Sequence, residues 1–147
     1  MGVLIEDCTA ECGPLMVIPG SHKGPVFDHH HNGVFAGGVD TEVIGDLADK
    51  AVKLIAPAGS LTIHHVRTLH ASGNSSTNTL RPLVLFSYTA VDAFPIFSSY
   101  DLQEYDSRIL RGVPVHEGRM VALPFRIHLP QKSGTDSIYD NQESMQG

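Results

Sequence analysis

Residues 81–91 read RPLVLFSYTAV, and this run constrains the fold more than any other stretch of the chain. Leu83, Val84, Leu85, Phe86 and Tyr88 fill both parities of the run, where a strand with one wet face would alternate. A strand apolar on both sides predicts a sheet packed against another sheet. The surrounding chain is punctuated for turns, with 14 Gly, 9 Pro and no Trp. Shorter strands are expected at residues 3–5, at 15–18 before Pro19-Gly20, at 52–55 before Pro57-Ala58-Gly59, and at 61–66. Residues 21–38 read as a loop and residues 71–79 as a long polar turn. Residues 41–53 fit either a short helix on Val43, Leu47 and Ala51 or an irregular connection. A helix over roughly 100–110, capped by Ser98 or Ser99 and stopped by Gly112, completes an antiparallel β domain. No internal repeat or domain boundary interrupts residues 1–130, and residues 131–147 form a polar tail.

Composition removes several classes of function. Hydrophobic residues at 41%, charged residues at 18% and a mean hydropathy of -0.03 are enough to fill a core. A net charge of -6 lacks the basic footprint of a nucleic-acid or anionic-lipid binder. No apolar stretch approaches the ~20 residues of a membrane span. The first residues carry neither a secretory pattern nor, with Glu6 where Ser or Thr is needed, a myristoylation signal. A cytoplasmic protein is expected, binding neither nucleic acid nor membrane. Cys8 and Cys12 then read as reduced thiols rather than half of a zinc site, since no second cysteine pair exists.

Nine histidines are the unusual count, and two groups compete for a chemical role. In Asp28-His29-His30-His31-Asn32, an extended backbone would turn His29 and His31 to one side, where they could chelate a metal. The bland reading is a polar loop. The second group is His64-His65-Val66-Arg67-Thr68-Leu69-His70-Ala71-Ser72, with Arg81 eleven residues after His70. An Arg opening an apolar strand needs a carboxylate for its fork. If Arg81 faces the interior, alternation puts Leu83, Leu85 and Ser87 beside it, around an apolar chamber. The polar turn would bring His70 and Arg81 to one end of that chamber, as one metal ligand and one carboxylate anchor.

ECGPLMVIPGSHKGP together with HHVRTLHASGNSSTNTLRPLVLFSY closely resembles the phytanoyl-CoA dioxygenase family, from about residue 3 to at least Pro130. The resemblance implies a double-stranded β-helix, a jelly roll of cupin-like form, present in part and carrying one C-terminal helix. It implies an Fe(II) enzyme that uses 2-oxoglutarate and O₂ to hydroxylate a small-molecule substrate. It also implies that His70 is a metal ligand, the distal histidine of the iron triad. Arg81 would pair with the far carboxylate of 2-oxoglutarate, and Ser72 would add a hydrogen bond to it. Fe(II) held by two His and one carboxylate keeps positions open for the oxo acid and O₂.

The departure from the family lies in the rest of the triad. The family's His-x-Asp, upstream of the Pro-Gly-Ser-His block, has no counterpart in these 147 residues, and no His-x-Glu replaces it. The chain therefore reads as the C-terminal portion of such an oxygenase, inactive on its own, with the co-substrate anchor and one of three ligands. One alternative is a non-catalytic jelly-roll module binding a small carboxylate or a protein partner. Another recruits Asp28 with His29 or His31 as ligands beside His70. Open sheet edges further predict a homo-oligomer.

Overall fold

The computed structural model describes residues 1–78, 80–96, 101–131 and 142. It is mainly β and fits a partial jelly roll. Two short strands, β1 (Gly2–Leu4) and β2 (Leu15–Val17), form the middle of two three-stranded antiparallel sheets. β5 (Val52–Lys53) and β6 (Leu61–Thr62) flank them on one side, and β7 (His70–Ser72) and β8 (Leu83–Leu85) on the other. The first stretch thus runs as an interrupted central strand between two return passes.

The two flanks differ in register. Opposite β7 and β8 the offset is constant, from Val17↔His70 through Cys12↔Ser75 to Gly2↔Leu85. The excursions on the two chains between those pairings are therefore equally long. On the other flank, continuing the Met16↔Lys53 offset would set Ala56 opposite Gly13, yet Ala56 faces Cys8. The surplus bulges out of the central strand near Gly13. There φ is +73°, and an added Cβ would lie 2.7 Å from the Gly73 carbonyl oxygen. Beneath the bulge sits a small core of Leu4, Cys8 and Cys12 with Ala56 packed on it. Both cysteines are free, as expected, with their sulfurs 3.6 Å apart.

Several expectations are corrected. Residues 81–91 are not one long doubly buried strand. Only Leu83–Leu85 is strand, and Leu85 is 70% and Tyr88 58% exposed. Strand β8 pairs with β1 along one edge, and its Val84 and Leu85 side chains stay exposed. Apolar residues at both parities record an affinity for cover, which the described residues do not supply at Leu85 and Tyr88. Nor do Ala71 and Ser72 belong to the polar turn. They pair with Met16 and Leu15, so a neighbouring strand overrides their weak strand preference.

Residues 21–38 are more ordered than a loop. A 3-10 turn at Ser21–Lys23 precedes a hairpin of β3 (His30–His31) and β4 (Val34–Phe35). Asn32 (φ 50°) and Gly33 (φ 81°) turn it, the left-handed pair that a two-residue hairpin requires. Residues 41–53 combine both expectations. Helix α1 (Thr41–Ile44) stops at Gly45, and a 3-10 stretch over Gly45–Lys50 leads into β5.

The chain divides into two compact units, Phe86–Ala122 and the remainder. In the former, α2 (Leu102–Ser107) is shorter than expected and is capped by Asp101, whose carboxylate accepts from the Glu104 N–H at 2.7 Å. Ser98 and Ser99 lie outside the described residues, as does the tail beyond Gln131 except Gln142. Asp92 holds Arg119 through two hydrogen bonds of 2.8 and 3.0 Å, and Phe94 stacks on Tyr105. No helix among the described residues is long and apolar enough to cross a membrane.

Candidate functional site

Strand β7 carries two of the expected site residues. His70 and Ser72 are two apart on it, so the pleat sends both side chains to one side. The Arg81 guanidinium donates from Nη2 to Ser72 Oγ at 3.4 Å, closing the turn between β7 and β8. That turn is held from below, because the Gly73 N–H donates to the Pro14 carbonyl at 2.8 Å and the Ser76 N–H to Glu11 O at 2.9 Å. Pro82 follows Arg81 and disfavours helical backbone at it. The chain thus joins Ser72 and Arg81 directly.

The Thr68 carbonyl fixes the tautomer of His70. Its Nδ1 lies 2.7 Å from the Thr68 carbonyl, which can only accept, so Nδ1 carries the proton. Nε2 is left with its lone pair, the form a metal ligand needs. His64, which sequence reasoning left without a role, stands beside it with ring centroids 5.0 Å apart. Its Nδ1 is buried without a hydrogen-bond partner, and burial, then the His70 charge, push its pKa down. The reversal after it, where the Thr68 N–H donates to His65 O, brings His64 back to His70 and has no signal in the sequence.

Arg81 has no ion pair with a carboxylate among the described residues. Its charge reaches the Cys8 thiol, whose pKa is raised by burial and by Cys12, with Arg81 opposing that rise. A guanidinium bonded to a hydroxyl and lacking a carboxylate suits a ligand with a carboxylate of its own. Metal donors are fewer. Among the described residues no three His, Cys, Asp or Glu side chains stand close enough together to hold a metal ion. His70 thus fits as one ligand, while the described residues do not complete a donor set for an iron centre around it.

The histidines of 28–32 are engaged elsewhere. Asp28 accepts from His30 Nδ1 at 2.5 Å and from Arg126 at 3.0 Å, and these contacts, His30 first, lower its pKa to about 2. His31 lies 3.6 Å from Asp40. His29 stacks at 6.4 Å on Phe35, which also stacks on His128 at 4.2 Å. His30 Nε2 meets the Leu129 carbonyl, and the Phe35 N–H donates to Pro130 O, so residues 126–130 strap the hairpin. The geometry gives no support to recruiting Asp28, His29 or His31 as ligands beside His70.

Comparison with known proteins matches residues 1–83 to the family model for phytanoyl-CoA dioxygenase (PhyH). A probable alpha-ketoglutarate-dependent hypophosphite dioxygenase of Stutzerimonas stutzeri is 31% identical over 149 residues, covering 99% of this chain and 52% of that protein. The L-proline trans-4-hydroxylase of Streptomyces griseoviridis is 32% identical over 111 residues, covering 65% of this chain and 41% of the relative. The chain spans about half the length of the curated relatives it matches. No solved structure matches it significantly.

Proposed function

The chain belongs to the phytanoyl-CoA dioxygenase family, and on that premise we propose that it carries the co-substrate half of an Fe(II)/2-oxoglutarate-dependent hydroxylase acting on a small molecule with O₂. The observation that carries the reading is the contact of Arg81 with Ser72, two residues beyond a histidine whose Nε2 lone pair is free. Arg81 offers its remaining N–H groups to the far carboxylate of 2-oxoglutarate, with a fixed fork that a lysine lacks. Ser72 accepts from Arg81 through a lone pair and keeps its own O–H to donate to the same carboxylate. His70 Nε2 is the group that would ligate iron. When bound, iron in this family couples decarboxylation of 2-oxoglutarate to hydroxylation of the substrate. The other two ligands of the family's triad have no motif in this sequence, so the 147 residues alone are proposed to be inactive.

Calorimetry with 2-oxoglutarate tests the anchor. Weak saturable binding is expected, and Arg81→Ala should abolish it. Equal affinity in the two proteins would remove Arg81 from the role. Succinate formed with added Fe(II) should stay at background, and robust turnover would overturn the ligand count. The alternative, a module that only binds a small carboxylate, gains if a longer protein containing a His-x-Asp also fails to form succinate.

A further inference from the structure

The charges of this acidic chain are segregated. Of sixteen Asp and Glu, none falls in residues 12–27 or 50–91. Those two segments hold Lys23, Lys50, Lys53, Arg67 and Arg81, with His22, His64, His65 and His70. The fold lays them side by side. Strand β2 pairs with β7, and the Ile18 N–H donates to Leu69 O at 2.9 Å. Ser21 Oγ accepts from the Leu69 N–H at 2.8 Å, and Arg67 Nη2 donates to Gly24 O at 2.6 Å. The 3-10 turn at Ser21–Lys23 is thereby stapled to the 65–69 loop.

The staple sets the His22 and His65 rings 5.6 Å apart, with His64 on His70 one residue along. His65 Nδ1 accepts from the Arg67 N–H at 3.1 Å, so in the neutral ring the proton sits on Nε2 as a donor. Every ion pair recorded among the described residues lies outside these two segments. A cluster of donors without acidic partners, in a protein of net charge -6, attracts an anion against the field of the whole molecule.

We infer that His22, His65 and Arg67, beside His70, form a subsite for the oxyanion group of the primary substrate, separate from the Arg81–Ser72 anchor. Its place as a substrate site rests on the oxygenase reading above. The positive surroundings would draw a small anion in, and the His65 Nε2–H and the free Arg67 N–H groups would hold its oxygens.

The test is an NMR titration of the 147-residue chain with inorganic phosphate and, separately, acetate, against sodium chloride at matched ionic strength, following the His22 and His65 rings. The expected result is a saturable shift of both rings with the oxyanions and little response to chloride. The double variant His22→Gln/His65→Gln should weaken that binding at least about tenfold, the scale of a charge-assisted hydrogen bond, while leaving 2-oxoglutarate binding unchanged. Lys23→Gln, on an exposed side chain, is a gentler variant expected to weaken it about threefold. Equal shifts with chloride, meaning an adventitious ion only, overturn the subsite. So does full affinity in the double variant, or binding that vanishes in Arg81→Ala instead, which would put the anion at the anchor. If the oxyanions bind as expected but 2-oxoglutarate binding ignores Arg81, the oxygenase reading falls, and the substrate assignment falls with it.

Discussion

At the scale of single residues, the site depends on fixed hydrogen-bond roles more than on shifted charges. Thr68 O sets the proton of His70, and Ser72 aligns Arg81. Arg81→Lys keeps the charge but loses the fork, and should weaken 2-oxoglutarate binding about tenfold or more by calorimetry. Ser72→Ala, which removes one neutral hydroxyl, should cost about threefold to tenfold. Spacing and residue type singled out His70 and Arg81 in the sequence, and the family resemblance added Ser72. His64 was not legible there, since its meeting with His70 depends on a chain reversal that no motif announces.

At the scale of elements, the bulge at Gly13 lies against the turn that follows Ser72. Gly13→Ala puts a Cβ 2.7 Å from Gly73 O at a positive φ, so backbone must shift. A loss of about 1–3 kcal/mol in urea unfolding is expected, together with weaker 2-oxoglutarate binding. The strapped hairpin should respond to pH in two steps. Burial, then the charge of His128, lowers the His29 pKa, so the folded state binds that proton less readily than the unfolded one. Stability from neutral His29 is complete above its ordinary value of 6.5 and declines as pH falls below it. Asp28, lowered to about 2, contributes stability above its ordinary value of 3.8, and that is lost as pH falls toward 2. The protection of the Phe35 amide against hydrogen exchange, taken relative to the intrinsic rate at each pH, should fall between about pH 7.5 and 5, and His29→Phe should flatten that step. An unchanged step in His29→Phe would assign it to another group. The hairpin itself was written in Asn32-Gly33, a signal hidden among histidines that drew attention to metal binding.

At the scale of the whole molecule, the β class was legible because turn residues and β-branched runs report locally. The burial of residues 81–91 was not, because cover depends on what packs against the chain. Leu61, Ile63, Leu85 and Val66 are all more than half exposed. Apolar side chains this open, on or beside strands with unpaired edges, favour association. Light scattering of the 147-residue chain should report a mass above one copy at tens of micromolar, and a clean monomer there would exclude the expected homo-oligomer.

The two buried thiols make the chain its own reporter. Cys8 and Cys12 sit where the central strand touches both return passes, through Ala56 on one side and Ser75 on the other. An alkylating reagent can reach them only when those passes part, so its rate clocks the opening of the sheets. A dicarboxylate held by Arg81 and Ser72 closes the same turn, and should slow the clock by the factor 1 + [L]/Kd. Mass spectrometry of unlabelled protein would then read co-substrate affinity without a metal, a dye or a turnover.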